Sequence, residues 1–120
     1  PADMRIPILS ALQGEHRHRY RTLFDLTKVG RLDFEPIDRD RFSLFDLGMA
    51  VAKSGGIHPV TMNAANEAAV ARFLNGEIKF NDIERMIKTA LEHFENHKTL
   101  TLDFILEHED AVKAFVHSLT

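Results

Sequence analysis

The strongest constraint on the fold is a helical repeat of apolar residues in the second half of the chain. Within one stretch, apolar side chains recur every three or four positions, at Ile83, Met86, Ile87, Ala90, Leu91 and Phe94. This spacing predicts an amphipathic helix that packs one face against a core. The preceding Asn81-Asp82-Ile83-Glu84 resembles a capping box, with asparagine in the place of the usual serine or threonine.

Two more helices are predicted before this repeat. In the first, one helical face carries Phe42, Phe45, Met49 and Ala52. This helix should end at Gly55-Gly56. Pro59 suits the first turn of the second helix, which would run through the alanine-rich stretch 63–74 to Gly76.

Shorter helices are predicted at both ends of the chain. Apolar spacing indicates one short helix at Leu102, Ile105 and Leu106, and a final helix at Val112, Phe115, Val116 and Leu119. Near the start, residues 6–12 could form a helix with Pro7 in its first turn. Because connections of about five residues favour antiparallel neighbours, residues 42–120 are predicted to form a helical bundle.

Residues 13–41 lack a helical repeat and are predicted to form an extended arm. Leu32 and Phe34 alternate with charged residues, as a short half-exposed strand would, and Pro36 would end it. The predicted fold class is therefore mainly α, a C-terminal helical bundle preceded by an extended linker arm with at most one short strand.

Composition excludes several functions. The 15 Lys and Arg residues against 18 Asp and Glu residues give a net charge of −3, which argues against a nucleic-acid partner. No run approaches the roughly 18 consecutive apolar residues of a membrane span. The chain has no cysteine, which excludes disulfides and thiolate zinc sites. It begins at Pro1 without a methionine, so we expect it to be part of a longer protein.

The inventory of catalytic motifs is short. The glycines, at positions 14, 30, 48, 55, 56 and 76, assemble neither a dinucleotide fingerprint nor a phosphate loop. His93 and His97 have the spacing of a helical metal pair but lack a third ligand on that face, so polar residues near a helix end are the favoured interpretation. The basic stretch 15–21, with His16 and His18, could bind a phosphate-bearing partner, but a solvated loop is favoured.

Three polar residues lie inside the predicted alanine-rich helix. Asn66 shares a face with apolar neighbours, and Asn63 and Glu67 lie on the adjacent face. These groups need partners, because a buried unpaired amide or carboxylate costs about 1–3 kcal/mol or more. They could cap neighbouring backbone, bind a ligand or fix this helix to another domain, and the structural role is favoured.

Several segments, in order along the chain, resemble 1-deoxy-D-xylulose 5-phosphate reductoisomerases. Residues 1–8 resemble that family's PDMR-x-PI segment, and residues 32–42 resemble its L-x-F-x-x-P-D…R-F-P arm. Gly55-Gly56, Pro59 and residues 63–74, which contain NAANE, resemble its C-terminal run, continued by Ile78-x-Phe80-x-x-Ile83. The similarity extends over nearly the whole chain.

The resemblance implies a division of the chain and a function for its parent enzyme. Residues 1–12 would close the catalytic domain, 13–41 would be the linker arm and 42–120 the C-terminal helical domain. The parent would convert 1-deoxy-D-xylulose 5-phosphate to 2-C-methyl-D-erythritol 4-phosphate in non-mevalonate isoprenoid biosynthesis. It would use NADPH for hydride transfer and Mg²⁺ or Mn²⁺ as a Lewis acid. The implied partners are the upstream catalytic and dinucleotide-binding domains, in a cytoplasmic homodimer without nucleic-acid or membrane binding.

The resemblance assigns one cofactor-binding residue, Met4, which matches a family methionine beside the nicotinamide and substrate. The family's metal-binding carboxylates, phosphate-binding side chains and glycine-rich loop lie upstream. No catalytic or metal-ligating residue is therefore assigned, and this chain alone is expected to bind no cofactor and to be inactive. Ala2 and Ser43 each replace a family proline.

By the same resemblance, the helical domain would support the catalytic domain. Asn63, Asn66 and Glu67 would then form hydrogen bonds to backbone groups of the helical domain or of the catalytic domain that it contacts. The alternative is a free-standing helical interaction module without an enzymatic parent. In that case residues 1–41 should fold onto residues 42–120, whereas in the enzyme they need other domains to pack against.

Overall fold

The structure, a computed structural model, describes residues 3–14, 25–98 and 100–120. Within these ranges all regular secondary structure is helical: α1 (Arg5–Gln13), α2 (Leu26–Val29), α3 (Ser43–Ser54), α4 (His58–Leu74), α5 (Phe80–His93) and α6 (Leu102–Ser118). Two compact units are formed, Pro1–Pro36 and Ile37–Thr120. The predicted mainly α class is confirmed, while the boundaries at residues 12 and 41 stay predictions.

In the first unit, α1 forms where the sequence predicted it, with Pro7 near its start. The short strand predicted around Leu32 and Phe34 is wrong. Residues 30–36 carry no regular structure and are exposed. A strand needs a neighbouring strand to accept its backbone hydrogen bonds, and none is present in the described residues.

The core of the second unit lies between α4 and the two helices that follow it. Packing of α4 against both α5 and α6 buries ten residues together: Ala64, Ala65, Ala68, Ala69, Ile83, Met86, Ile87, Ala90, Val112 and Val116. Four of them are alanines of α4, whose small side chains let the helices approach closely. The predicted apolar repeat of α5 is confirmed, because its members are buried or packed against this core.

The face of α3 that packs on α4 differs from the predicted one. The residues that face inward are Leu44, Leu47, Gly48 and Val51, and a Cβ added to Gly48 would lie 3.6 Å from Met62 Cε. Phe42, Phe45 and Met49 are exposed. Since α3 has apolar side chains on both sides, spacing alone could not select the buried one.

A side chain distant in sequence caps the start of α4. The backbone N–H groups of Ile57 and His58 donate to Asn96 Oδ1 at 3.0 and 3.4 Å, and Ile57 N–H also donates to His97 O at 2.9 Å. Gly56 precedes them with φ of 66° and lies against Asn96. These bonds satisfy donors that a helix start otherwise leaves without partners.

Two details of the last helices correct the predictions. Helix α5 begins at Phe80, so the capping box predicted at Asn81 is wrong; Asp82 Oδ2 instead accepts from the Lys79 backbone N–H at 2.9 Å. The two separate helices predicted after residue 101 are one helix, α6, capped by Thr101 Oγ1. The polar residues between the two apolar groups do not break it, because His108 continues its buried face.

Candidate functional site

Met4 lies directly before α1 and is 72% exposed. Helix α1 has no buried residue, and Met4, Ile8 and Leu12, all exposed, are spaced along one of its faces. Arg5 fixes the helix start: its backbone N–H and its guanidinium both donate to the Asp3 carboxylate. These bonds, the side-chain one foremost, lower the pKa of Asp3 to about 2.

Asn63, Asn66 and Glu67, the three polar residues of α4 that the sequence analysis selected, are all exposed, so the expected burial of Asn66 among apolar neighbours is wrong. Glu67 accepts from Asn63 Nδ2 at 2.9 Å and pairs with Lys113 of α6 at 3.0 Å. The hydrogen bond from Lys113, followed by that from Asn63, lowers the pKa of Glu67. Glu67 thus links α4 to α6, and Asn63 bonds to Glu67 within α4. Asn66 makes no hydrogen bond within the described residues, and its role at an interface stays a prediction.

The polar pair buried inside the bundle is Thr61 and His108, which the sequence analysis missed. Thr61 Oγ1 lies 2.8 Å from His108 Nε2 and donates to Ile57 O at 3.2 Å. Burial lowers the pKa of His108, and the neighbouring His97 and His58 lower it further. The spacing of the sequence could have indicated that His108 is buried, since it precedes the buried Val112 and Val116 by four and eight positions and so lies on the same helical face.

Arg72 is a third buried polar residue that the sequence analysis missed. Its Nη1 donates to Val116 O and Leu119 O, each at 2.8 Å, and its Nε donates to Glu77 Oε2 at 3.1 Å. The guanidinium therefore supplies hydrogen bonds to one carbonyl group in the last turn of α6 and to that of the residue directly after the helix. The sequence feature that could have indicated this buried role is that Arg72 is a single cation in the apolar, alanine-rich stretch of α4.

His93 and His97, whose spacing is that of a helical metal pair, do not lie on one helix. Helix α5 ends at His93, whose ring stacks on Phe115 at 4.2 Å, and His97 lies beyond the helix with its ring edge-on to Phe104. Within residues 3–14, 25–98 and 100–120, no three His, Asp or Glu side chains come together as metal ligands would. His16, His18 and the basic stretch 15–21 lie outside the described residues.

Large apolar side chains are exposed on several helices and on the arm. They are Met4, Ile8, Leu12, Leu32, Phe34, Ile37, Phe42, Phe45, Met49, Leu74, Phe80, Leu102 and Leu106. In the part of the chain that the structure describes, no helix combines the length and hydropathy needed to cross a bilayer. Exposed apolar side chains indicate contact with other protein where they form a contiguous patch.

Comparison with known proteins identifies the family. Residues 1–115 match the family described as "DXP reductoisomerase C-terminal domain". The chain belongs to this family. It is 40% identical over 119 residues to the 1-deoxy-D-xylulose 5-phosphate reductoisomerase of Halalkalibacterium halodurans, and 41% identical over 120 residues to that of Exiguobacterium sibiricum. Each match covers 98% of this chain and 31% of the relative.

A solved structure of the family has the same fold. The reductoisomerase from Zymomonas mobilis, in complex with NADPH, superposes with a TM-score of 0.80 at 35% identity. The match covers 99% of this chain and 33% of the solved one. The chain thus spans about a third of the length of its reductoisomerase relatives, and the family match includes Met4 and α1 as well as the bundle.

Proposed function

We propose that this chain is the C-terminal part of a 1-deoxy-D-xylulose 5-phosphate reductoisomerase, where it supports the catalytic domain and contributes one wall residue to the cofactor site. The observation that carries this proposal is α1, a nine-residue helix that buries no side chain of its own. Helices shorter than about 12–15 residues are marginal in water without tertiary packing. The apolar stripe of Met4, Ile8 and Leu12 therefore requires a covering surface, which the upstream catalytic domain would provide.

Met4 is suited to an apolar wall beside a nicotinamide. Its unbranched, polarizable thioether adapts to flat aromatic neighbours, and its exposure leaves it available for contact. The bond between Arg5 and Asp3 fixes the backbone on either side of Met4, which would hold the thioether in place.

The proposed parent reaction converts 1-deoxy-D-xylulose 5-phosphate to 2-C-methyl-D-erythritol 4-phosphate. NADPH would supply hydride, and Mg²⁺ or Mn²⁺ would supply Lewis-acid polarisation of the substrate oxygens. The described residues do not form a metal site, so we assign both the metal ligands and the nucleotide loop to upstream domains. We further propose that the parent is a cytoplasmic homodimer of the non-mevalonate isoprenoid pathway and that this chain alone is inactive.

The test is NADPH consumption by the parent protein encoded by the full reading frame, followed with 1-deoxy-D-xylulose 5-phosphate and Mg²⁺ or Mn²⁺. Metal-dependent turnover is expected. Met4→Ala should raise KM for NADPH or substrate without changing Tm. Leu12 lies on the same apolar stripe, two turns of α1 away from Met4, so Leu12→Ala should lower Tm and leave KM unchanged. A folded parent that neither turns over nor binds NADPH would overturn the proposal and favour a free-standing interaction module.

A further inference from the structure

Three histidines, which we name the histidine cluster, lie where residues 94–98, which we name the connection, pass the start of α4. They are His58 of α4, His97 of the connection and His108 of α6, and both His97 and His58 act electrostatically on His108. The His108 ring is buried, with two phenylalanine ring centres 5.1 and 5.8 Å from its own. A side chain that gains a positive charge in acid is therefore enclosed by apolar rings and by two other groups of the same kind.

The hydrogen bonds of His108 hold its ring in the neutral form. The Thr61 hydroxyl gives its one proton to Ile57 O at 3.2 Å, so its oxygen accepts from His108 Nε2 at 2.8 Å. A further proton would have to bind Nδ1, which makes no hydrogen bond within the described residues. Burial, followed by His97 and His58, lowers the pKa of His108. The folded cluster therefore disfavours the charged ring.

The remaining ionisable groups of this region do not compensate a charge on His108. His93 at the end of α5 is one more group that becomes positive in acid, and Lys98 of the connection is positive already. Of the carboxylates nearest in sequence, Glu95 and Glu107 are exposed and Glu109 belongs to an ion pair within α6. In the part of the chain that the structure describes, no carboxylate contributes to the pKa of His108.

Few bonds hold the connection against α4. The N–H groups of Ile57 and His58 donate to Asn96 Oδ1, and the Ile57 N–H also donates to His97 O. The His58 ring adds one bond, from Nε2 to Phe94 O at 3.3 Å. The connection has no regular secondary structure, and its residues are exposed or half-buried. Segments held in this way open at a lower cost in free energy than a helical core does.

We propose that the histidine cluster is an acid-sensitive switch, in which charging of His108 releases the connection from the start of α4 while the core of the bundle stays folded. In the open state His97 moves away and water reaches the His108 ring, so the charge is no longer penalised. The closed state is therefore fully favoured above the ordinary histidine pKa of about 6.5 and is weakened as the pH falls from there through the lowered pKa. The switch depends on residues of this chain alone and is independent of the proposed parent reaction.

Hydrogen exchange of the parent protein tests this switch, with each amide rate divided by its intrinsic rate at the same pH. The reporters are the Ile57 and His58 amides, which lose their acceptors when the connection opens, and the references are the Met86 and Ile87 amides in the core. Between pH 7.5 and pH 5.5 the protection of the reporters should fall about five- to tenfold, because one pH unit below the ordinary pKa weakens the closed state by up to a factor of ten. Reporter protection should be insensitive to dilute urea, whereas reference protection should be higher and decrease with urea, because only global unfolding exposes the core.

Two variants assign the fall in protection to His108. His108→Gln keeps an N–H donor for Thr61 but does not titrate, so the fall should disappear. The matched control is His117→Gln, an exposed histidine of the same helix, and the fall should persist there.

If His108→Gln does not fold, His97→Gln replaces it, and the loss of one neighbouring charge should reduce the fall. An undiminished fall in that variant, or a fall that persists in His108→Gln, would overturn the proposal. Constant reporter protection between the two pH values would also overturn it. So would reporters that share the urea dependence of the references, because the whole bundle would then be unfolding.

Discussion

Replacing Arg72 by methionine should lower the free energy of unfolding of this chain by about 3 kcal/mol, because it removes hydrogen bonds to the end of α6. The bond from Nη1 to Val116 O is buried and contributes about 2 kcal/mol, within the range for a charged donor. The bond to Leu119 O is partly solvated and contributes about 1 kcal/mol. We assign nothing to the pair with Glu77, whose side chain is half exposed.

Urea unfolding followed by circular dichroism measures this loss, and methionine is chosen because it keeps most of the apolar stem. The expected loss is a large share of the roughly 5–15 kcal/mol typical of a domain. Arg72→Lys is the matched control: one ammonium group cannot hold both carbonyls and Glu77 together, so an intermediate loss is expected. A loss below about 1 kcal/mol with an unchanged m-value would refute the reasoning, because water would then be satisfying the carbonyls.

Two further perturbations test the interior of the bundle. Folding lowers the pKa of His108 below the ordinary histidine value of about 6.5, so the unfolded chain takes up the proton first as the pH falls. The free energy of unfolding should therefore keep its full value above about pH 6.5 and decrease as the pH falls from there through the lowered pKa. His108→Gln should therefore reduce the dependence of the urea midpoint on pH below that value; an unchanged slope would contradict this. Gly56→Ala should lower the free energy of unfolding, measured in urea, by more than Gly55→Ala does. Both glycines have positive φ, which strains alanine by about 1–3 kcal/mol at either position. Only at position 56 would the added Cβ also clash, because it meets Asn96 and His97 there and nothing within 4 Å at position 55. Equal costs would show that the close approach does not constrain the turn.

The positions of most helices could be predicted because their signals are local. Pro59 near the start of α4, Gly55 after α3 and the apolar repeat of α5 all act through neighbours within one or two turns. The strand predicted at Leu32 failed for the opposite reason, since strand formation depends on a partner segment that local alternation does not supply.

The candidate site was predicted less completely, because its partners are distant in sequence. Asn63 and Glu67 were recognised as polar groups that need partners, but Lys113 of α6 could not be named from α4 alone. Thr61 and His108 are 47 positions apart, and no local pattern indicates that they meet. Met4 was assigned from the family resemblance, and its contact with a cofactor stays a prediction.

The sequence by itself determined the helical class, the approximate helix limits and the family, because these depend on short spacings and on residue identity in order along the chain. Only the tertiary structure decided which side of α3 is buried and which polar groups enter the core. Both sides of α3 are apolar, so the choice depends on the surface that α4 offers. The burial of Arg72 likewise depends on where the end of α6 lies, 44 positions along the chain. Such choices follow from packing between helices, which the residues of a single helix do not specify.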